Sequence, residues 1–308
     1  MKKIAAFARA FVGCAALMTI VAGTAFAQSA DVTYKSTELA PGIVMLEGTG
    51  GFTGGNLGLW TGADGVILID NGMRPYLKIM LAAIKKHAGA PVDFVINTHV
   101  HGDHIGNNPH FGMQGATIIA HDKIRDRMLA KGITGPDGNK PPSEHMLPEI
   151  TFSDSVTLHL NGHRAHVMHV RHAHTDGDAI IHFPDADVIH MGDVGFNGLY
   201  PYVDLDSGGS VDGFMAAQEK VLSLAGKDTK IIPGHGPLAS KSDIAAARNM
   251  LGDARDRVRK LVSAGKDDEE ILAMNPLADY DAEWTWGFIN TERMTQMLIK
   301  DARGGRKQ

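Results

Sequence analysis

The sequence predicts an α/β fold in which two β-sheets stack face to face with helices on their outer sides. Three observations lead there. Short β-patterned runs alternate with amphipathic helical runs from residue 31 to residue 301. The order strand group, helix, strand, helix occurs twice, which implies two half-units joined through their sheets. No linker or low-complexity tract divides residues 28–308, so they read as a single domain.

The elements follow in order. Asp31–Thr37, Ile43–Glu47, Leu57–Thr61 and Val66–Asp70 carry strand patterns, and the glycine-rich Gly48–Gly55 separates two of them as a mobile hairpin loop. Met73–His87 places Leu77, Met80, Leu81 and Ile84 at helical spacing. Val92–Asn97 is a near-continuous apolar run, the signature of a strand buried on both faces. Ala116–Ala120 reads as a strand and His121–Lys131 as a helix, and 132–149 reads as a Gly/Pro-rich loop of lid length. Four short strands follow at Thr157–Leu160, His163–Val170, Ala179–Phe183 and Val188–His190. Helix Val211–Leu224, strand Thr229–Ile232 and helix Ser240–Ala264 come next, and one last helix is expected over Ala282–Asp301.

Composition narrows the function classes. The 308 residues are 44% hydrophobic and 21% charged, a globular balance. A net charge of −5 offers no basic footprint for nucleic acid. The single cysteine, Cys14, excludes a disulfide framework and a multi-thiolate metal site. Residues 1–27 read as a secretory signal peptide: Lys2 and Lys3, an apolar run over 10–23, then Ala25-Phe26-Ala27 before Gln28. The apolar run is shorter than the ~20 residues a spanning helix needs, so the expectation is cleavage, no membrane span thereafter, and a periplasmic location.

The 16 histidines are the functional signal. His99-Val100-His101-Gly102-Asp103-His104 follows the buried strand Val92–Asn97, at the strand end where α/β proteins place their chemistry. In extended backbone His99 and His101 point the same way and can reach one metal. Asp103 and His104 lie where the chain turns and can face a second. Packing so many polar side chains after a buried strand has no stability rationale. His174, Asp193 and His235 each follow a strand beside glycine, so separated strand ends can feed a shared dinuclear pocket. His172 rivals His174 as a ligand, two residues away on the same strand side. His159, His163, His166 and His169 recur through strands and read as exposed faces, while His110, His121 and His190 are candidates to orient the ligands. Among carboxylates, Asp70 and Asp178 are the first candidates for fixing the imidazoles.

In this order, H-x-H-x-D-H, then His174-Thr175, Gly192-Asp193 and Gly234-His235-Gly236 resemble the metallo-β-lactamase superfamily over roughly residues 40–245. The resemblance implies a four-layer αββα sandwich with metals at one edge between the sheets. It implies two Zn²⁺ per chain: His99, His101 and His174 hold one, Asp103, His104 and His235 the other, and Asp193 bridges both. Imidazole and carboxylate donors suit zinc and also admit manganese or iron. A water between such metals is acidified and attacks an electrophile, with Asp103 and His235 as catalytic side chains and Asp103 as orienting and proton-shuttling group.

The expected substrate is a small molecule with a carboxylic amide or ester bond: a β-lactam, lactone, ester or thioester. The cysteine-containing lactamase branch has Cys where this chain has Asp193 and a lysine soon after it, whereas Val194–Tyr200 contains no Lys or Arg. The site therefore looks more like that of general ester, thioester and lactone hydrolases. The same resemblance admits an iron-dependent sulfur dioxygenase or oxidoreductase, and a sulfatase or phosphoesterase. One iron needs only two histidines and a carboxylate, so two complete ligand sets argue against the oxidative reading. Phe52, Trp60, Asn197, Tyr200 and Tyr202 are the candidate substrate-contacting residues.

Overall fold

A computed structural model describes residues 32–135 and 138–305, without the side chains of 134–140. The expected signal segment 1–27 lies outside the described residues. The first half builds a seven-stranded sheet in the order β1-β2-β3-β4-β5-β6-β9. Strands β1 (Thr33–Ala40), β2 (Ile43–Thr49), β3 (Leu57–Gly62) and β4 (Gly65–Ile69) form an antiparallel meander. Strands β5 (Phe94–Ile96), β6 (Thr117–His121) and β9 (Ile150–Phe152) extend it in parallel. Helices α1 (Leu77–Lys85), α2 (Gly102–Ile105), α3 (Asn108–Met113) and α4 (Asp122–Lys131) connect these strands.

The second sheet has the order β10-β11-β12-β13-β14. It comprises β10 (Ser155–Leu160), β11 (His163–His169), β12 (Ala179–Phe183), β13 (Val188–His190) and β14 (Lys230–Ile232). The first four pair antiparallel, and β14 joins β13 in parallel after the crossover helix α5 (Val211–Leu224). Helices α6 (Lys241–Ser263), α7 (Asp268–Met274), α8 (Asp281–Trp284) and α9 (Thr291–Ala302) complete the described chain.

Strand alternation explains the layers. On β4, Ile67 and Ile69 face the other sheet, while Val66 and Leu68 face α1 with Met80 and Ile84. On β12, Ile181 and Phe183 join the inter-sheet core, while Ile180 packs outward with Val221 of α5 and Ile244 of α6. The central strands of both sheets therefore bury both faces, and the order of layers is α, β, β, α. A further cluster packs Phe214, Leu251 and Ala254 with Trp284, Met294 and Leu298, fastening the C-terminal helices to α5 and α6.

Several expectations are corrected. The single last helix is two, because Thr285–Asn290 leaves helical geometry: Trp286 N–H donates to Ile289 O, and Asn290 caps α9 by accepting from Arg293 N–H. The expected loop 132–149 contains a two-stranded hairpin, β7 (Ile133–Gly135) with β8 (Gly138–Lys140), and a 3₁₀ turn at Glu144–Met146. Helices α2, α3 and α7 and strand β9 were too short or too polar to show a period.

Trp60 does not line a pocket. It has no exposed surface and packs edge-on against Phe183 in the inter-sheet core, with ring centroids 5.1 Å apart. Its indole N–H is buried without a hydrogen-bond partner. Trp60→Ala should cost about 3–5 kcal/mol of stability through the cavity it opens. Trp60→Phe should cost much less, because it also removes an unsatisfied buried donor. Chemical denaturation of the two variants checks the order; an equal loss would contradict it.

Candidate metal centre

The ends of five strands meet at one edge of the sandwich. Asp70 follows β4, the segment Thr98–His104 follows β5, His174 follows β11, Asp193 follows β13 and His235 follows β14. Their possible ligand atoms form three overlapping groups: His99, His101, His174 and Asp193; Asp70, His99 and His104; and Asp103, His104 and His235. Within each group all ligand atoms lie within 4.8 Å of one another.

Asp193 sits between the groups. Its Oδ1 lies 3.0 Å from His104 Nε2, and its Oδ2 lies 3.6, 3.5 and 3.4 Å from Nε2 of His99, His174 and His235. Asp103 Oδ2 reaches His104 and His235 at 3.6 and 3.4 Å. Two glycines make room for this: a Cβ on Gly234 would fall 2.0 Å from Asp193 Oδ1, and one on Gly55 2.1 Å from the His104 ring.

The outward-facing ring nitrogens of His99, His101, His104 and His174 each have a fixed partner. His104 Nδ1 bonds Asp70 Oδ2 at 2.7 Å, and His174 Nδ1 donates to Tyr202 O at 2.7 Å. Thr98 Oγ1 donates to Asp70 and meets His99 Nδ1 at 3.0 Å. His101 Nε2 bonds Asp204 Oδ2 at 2.9 Å, so its Nδ1 is the atom turned inward. Such contacts set the tautomer and hold each ring at the angle a ligand needs.

Underneath, four buried asparagines brace the turn that carries Asp103 and His104. Asn71 and Asn97 both donate to Asn108 Oδ1, at 2.5 and 3.1 Å, and Asn107 donates to Asn71 O.

The electrostatics show what the cluster lacks. Burial disfavours charge on His104, but Asp193, Asp103 and Asp70 outweigh it and hold its pKa well above the ordinary value. His235 is likewise penalised by burial yet raised to about 9 by Asp193 and Asp103. Burial lowers His174 to about 4 and, with His104, drives His99 well down. Burial opposes ionisation of Asp103, but His104 and His235 bring it down to about 2.

His99 Nε2 is buried with no hydrogen-bond partner, and His104 Nε2 and Asp193 Oδ1, 3.0 Å apart, are buried with no partner beyond each other. Unpaired inward donor atoms of imidazole and carboxylate type are what a cation with nitrogen and oxygen ligands would satisfy. The residues fit a metal site.

All seven predicted ligands therefore come together. His172 does not join them: it is exposed, with φ of 51° and Nδ1 on Gly208 O at 2.9 Å, whereas His174 is buried among the ligands. Asp70 orients an imidazole as expected. Asp178 does not: its carboxylate accepts from Thr175 N–H and Oγ1–H, bracing the loop beyond His174. His121 caps α4 by accepting from Lys123 N–H.

Phe52 is half exposed and stacks 5.6 Å from His235, lining a cavity of about 200 Å³ with Thr53, Asn56, Leu199 and Trp286. Tyr202 lies 6.2 Å from His101 and 5.9 Å from His174. Two substrate-contact expectations are corrected here. Tyr200 has no exposed surface and belongs to the C-terminal core. Asn197 turns its amide onto Pro237 O and Leu238 O and so braces the loop after His235.

Residues that the sequence reading missed include Asp204, Trp286 and Phe288. Trp286 lies 5.8 Å from His235, and Phe288 lies 5.6 Å from both Trp286 and Tyr202. Asp204 stands two residues after Tyr202, and only the fold brings it to His101.

A sheet-edge cluster of five imidazoles and two carboxylates, with braced outer nitrogens, defines a metallohydrolase type of site. The chain belongs to the metallo-β-lactamase superfamily, whose family model matches residues 50–235. It is similar to a hydroxyacylglutathione hydrolase from Polaromonas sp., 28% identical over 197 residues, which span 59% of this chain and 66% of that relative. Among solved structures it is similar in fold to a metallo-β-lactamase from Pontibacter korlensis, with a TM-score of 0.57, 16% identity, and coverage of 72% of this chain and 100% of that one. It is also similar to the stereoselective inverting sec-alkylsulfatase Pisa1 from Pseudomonas sp., with a TM-score of 0.67 and 14% identity, over 87% of this chain and 50% of that one.

Three outcomes are expected from the centre. His101→Ala should remove metal from the first group, and Asp204→Asn should weaken metal affinity by about 10- to 100-fold while leaving the fold intact; metal content against chelator concentration measures both. The raised pKa values of His104 and His235 leave protons on both rings in the metal-free protein at pH 7. Metal binding needs neutral imidazole, so loading should release protons. Titration calorimetry in buffers of different ionisation enthalpy reads that release, and a buffer-independent enthalpy would contradict it.

Proposed function

We propose that the chain is a dinuclear zinc hydrolase that cleaves a carboxylic ester, thioester or lactone, with β-lactams as a secondary substrate. The observation that carries this reading is the Asp193 carboxylate shared between two histidine groups. A cysteine at that place would favour one metal over the other, whereas a carboxylate has an oxygen for each. The named activity of the Polaromonas relative, hydrolysis of hydroxyacylglutathione, supports an acyl substrate.

A zinc pair bound there would supply an acidified water and a Lewis acid for the oxygen of the electrophile. The chain's own residues do the rest. His99, His101 and His174 would hold one ion, and Asp103, His104 and His235 the other. Asp103 is partly exposed to the cleft and reaches His235 through Oδ2, so it is placed to orient the attacking water and take its proton. Phe52 and Trp286 flank His235 and exclude bulk water from one side, which strengthens the electrostatics inside. Tyr202 walls the other side beside His101 and His174. The mature form on this reading begins at Gln28 and acts in the periplasm.

The test is metal analysis of protein purified without chelator, coupled to a panel of a thioester, a lactone, a carboxylic ester, a cephalosporin, an aryl sulfate and a phosphodiester. About two zincs per chain, ester-type turnover and an N-terminus at Gln28 are expected. His101→Ala should abolish turnover. A single iron with no hydrolysis, or sulfate turnover alone, would overturn the reading.

A further inference from the structure

Helix α4 braces the metal centre from outside the ligand set. Ile124 and Met128 seat it against Ile105 and Ala120, which fixes it to the first sheet and to α2. Arg127 leaves that apolar face and donates from Nε and Nη2 to Asp176 Oδ1 and Oδ2, both at 2.8 Å. The two side chains are 20% and 19% exposed, so most of the pair is shielded from water. Asp176 stands two residues after His174. The next residue, Gly177, passes so close to α4 that a Cβ on it would fall 3.2 Å from Ile124 Cγ1.

From Asp176 the contacts run on to His101 and His174. Asp176 N–H donates to Ser207 O at 3.0 Å, and a Cβ on Gly208 would fall 2.9 Å from Asp176 Cβ. Ser207 N–H donates to Asp204 Oδ1 at 3.0 Å, and Asp204 N–H to His174 O at 2.9 Å. Asp204 Oδ2 then holds His101. His101 comes from the first half of the chain and His174 from the second, and their facing nitrogens lie 2.8 Å apart. Arg127 thus ties a helix of the first half to the second-half loops that set this distance. The turn bearing Asp103 and His104 is held separately: Gly55 N–H donates to Asp103 O, and Asn71 N–H to His104 O.

We propose that Arg127 is a positioning residue for the ion held by His99, His101 and His174, fixing through Asp176 the separation of His101 and His174. The inference rests on the dinuclear reading above and deepens it. A guanidinium suits the task because its rigid fork meets both carboxylate oxygens, where an ammonium would meet one. Charge and geometry act here with opposite signs. The hydrogen bond to Asp176 holds Arg127 above its ordinary pKa against burial, and the charges of Asp176, Asp204 and Asp178 add to this. Arg127 is therefore a fixed cation beside a site for cations, and by Coulomb repulsion alone it opposes metal binding. Holding the imidazoles at their proper separation favours metal binding. A loss of affinity on removing the arginine can come only from the geometric effect.

The experiment titrates zinc-loaded wild type, Arg127→Gln, Arg127→Lys, Asp176→Asn and the double variant of Arg127→Gln with Asp176→Asn against a chelator. Zinc content is counted, and amide hydrogen exchange is read on the same samples. In Arg127→Gln one equivalent of zinc should leave at about tenfold lower chelator concentration, and the other at the wild-type concentration. Arg127→Lys keeps the charge but not the fork, and should lose part of that affinity. The double variant should be no worse than the poorer single one, because both changes break the same path. In Arg127→Gln the amides of Asp204 and Ser207 should exchange about tenfold faster, while those of Gly55 and Asn71 keep the wild-type rate. Unchanged or tighter zinc binding in Arg127→Gln would leave only the Coulomb effect and overturn the proposal. Equal weakening of both ions, or faster exchange at all four amides, would mark a general loss of stability and overturn it as well. If the wild type holds fewer than two ions, the dinuclear reading fails instead. The exchange pattern then decides the proposal: acceleration confined to Asp204 and Ser207 supports it, and a uniform change or none overturns it.

Discussion

The structure depends on a carboxylate buried where no isolated charge would be stable. Asp193 is only 5% exposed, yet it is held ionised: burial opposes the charge, and His104, His235 and His99 outweigh it. A buried anion must be paired and hydrogen-bonded, or it protonates. Here the pairing comes from imidazoles delivered by separate strand ends. No local segment can provide that, so the site exists only when both sheets are docked. The inter-sheet core of Ile67, Ile69, Ile96, Ile181 and Ile232 is therefore also what positions the ligands.

Holding the rings is a second task, met mostly from outside the cluster. Asp70 takes a positive φ of 56° to leave β4, and from there accepts from Thr98 N–H and Oγ1–H while bonding His104. One carboxylate thus ties the first sheet to the turn bearing the ligands. Asp204 does the same for His101 from the far side, while accepting from the backbone N–H groups of Asp206 and Ser207. The asparagine network beneath α2 and α3 satisfies backbone groups that the sharp turn leaves without helical partners. The cluster resembles a set of ligands bolted at their outer edges, so that the inner atoms keep one arrangement.

The C-terminal segment gives the centre a surrounding wall. Trp284 and Ile289 anchor the connection between α8 and α9 in the core, and the residues between them are pushed outward. Trp286 donates from Nε1 to Tyr200 O at 3.0 Å, and Phe288 remains 45% exposed. Together with Phe52 and Tyr202 they form an aromatic arc from His235 round to His101. An exposed aromatic is costly in water unless something covers it, and a cleft above paired histidine groups is where such covering is useful.

By itself the sequence determined the layers and which side chains the fold gathers at the sheet edge. Alternation on the strands, helical spacing in Met73–His87 and Val211–Leu224, and the placing of His99, His101, Asp103, His104, His174, Asp193 and His235 after strands are all local patterns. The chemistry of those ligands is written in the residue types themselves. The tertiary structure decided what local pattern cannot encode. It buried Trp60 and Tyr200, because an aromatic beside a glycine-rich turn looks the same whether it faces the core or the cleft. It broke the last helix at Thr285–Asn290, because docking against α5 and α6 satisfied Trp284 and Ile289 and left Trp286 and Phe288 over the site. It chose Asp204 over Asp178 as a support for the imidazoles. These are choices of distance between residues far apart in the chain, and only packing of the whole sandwich sets such distances.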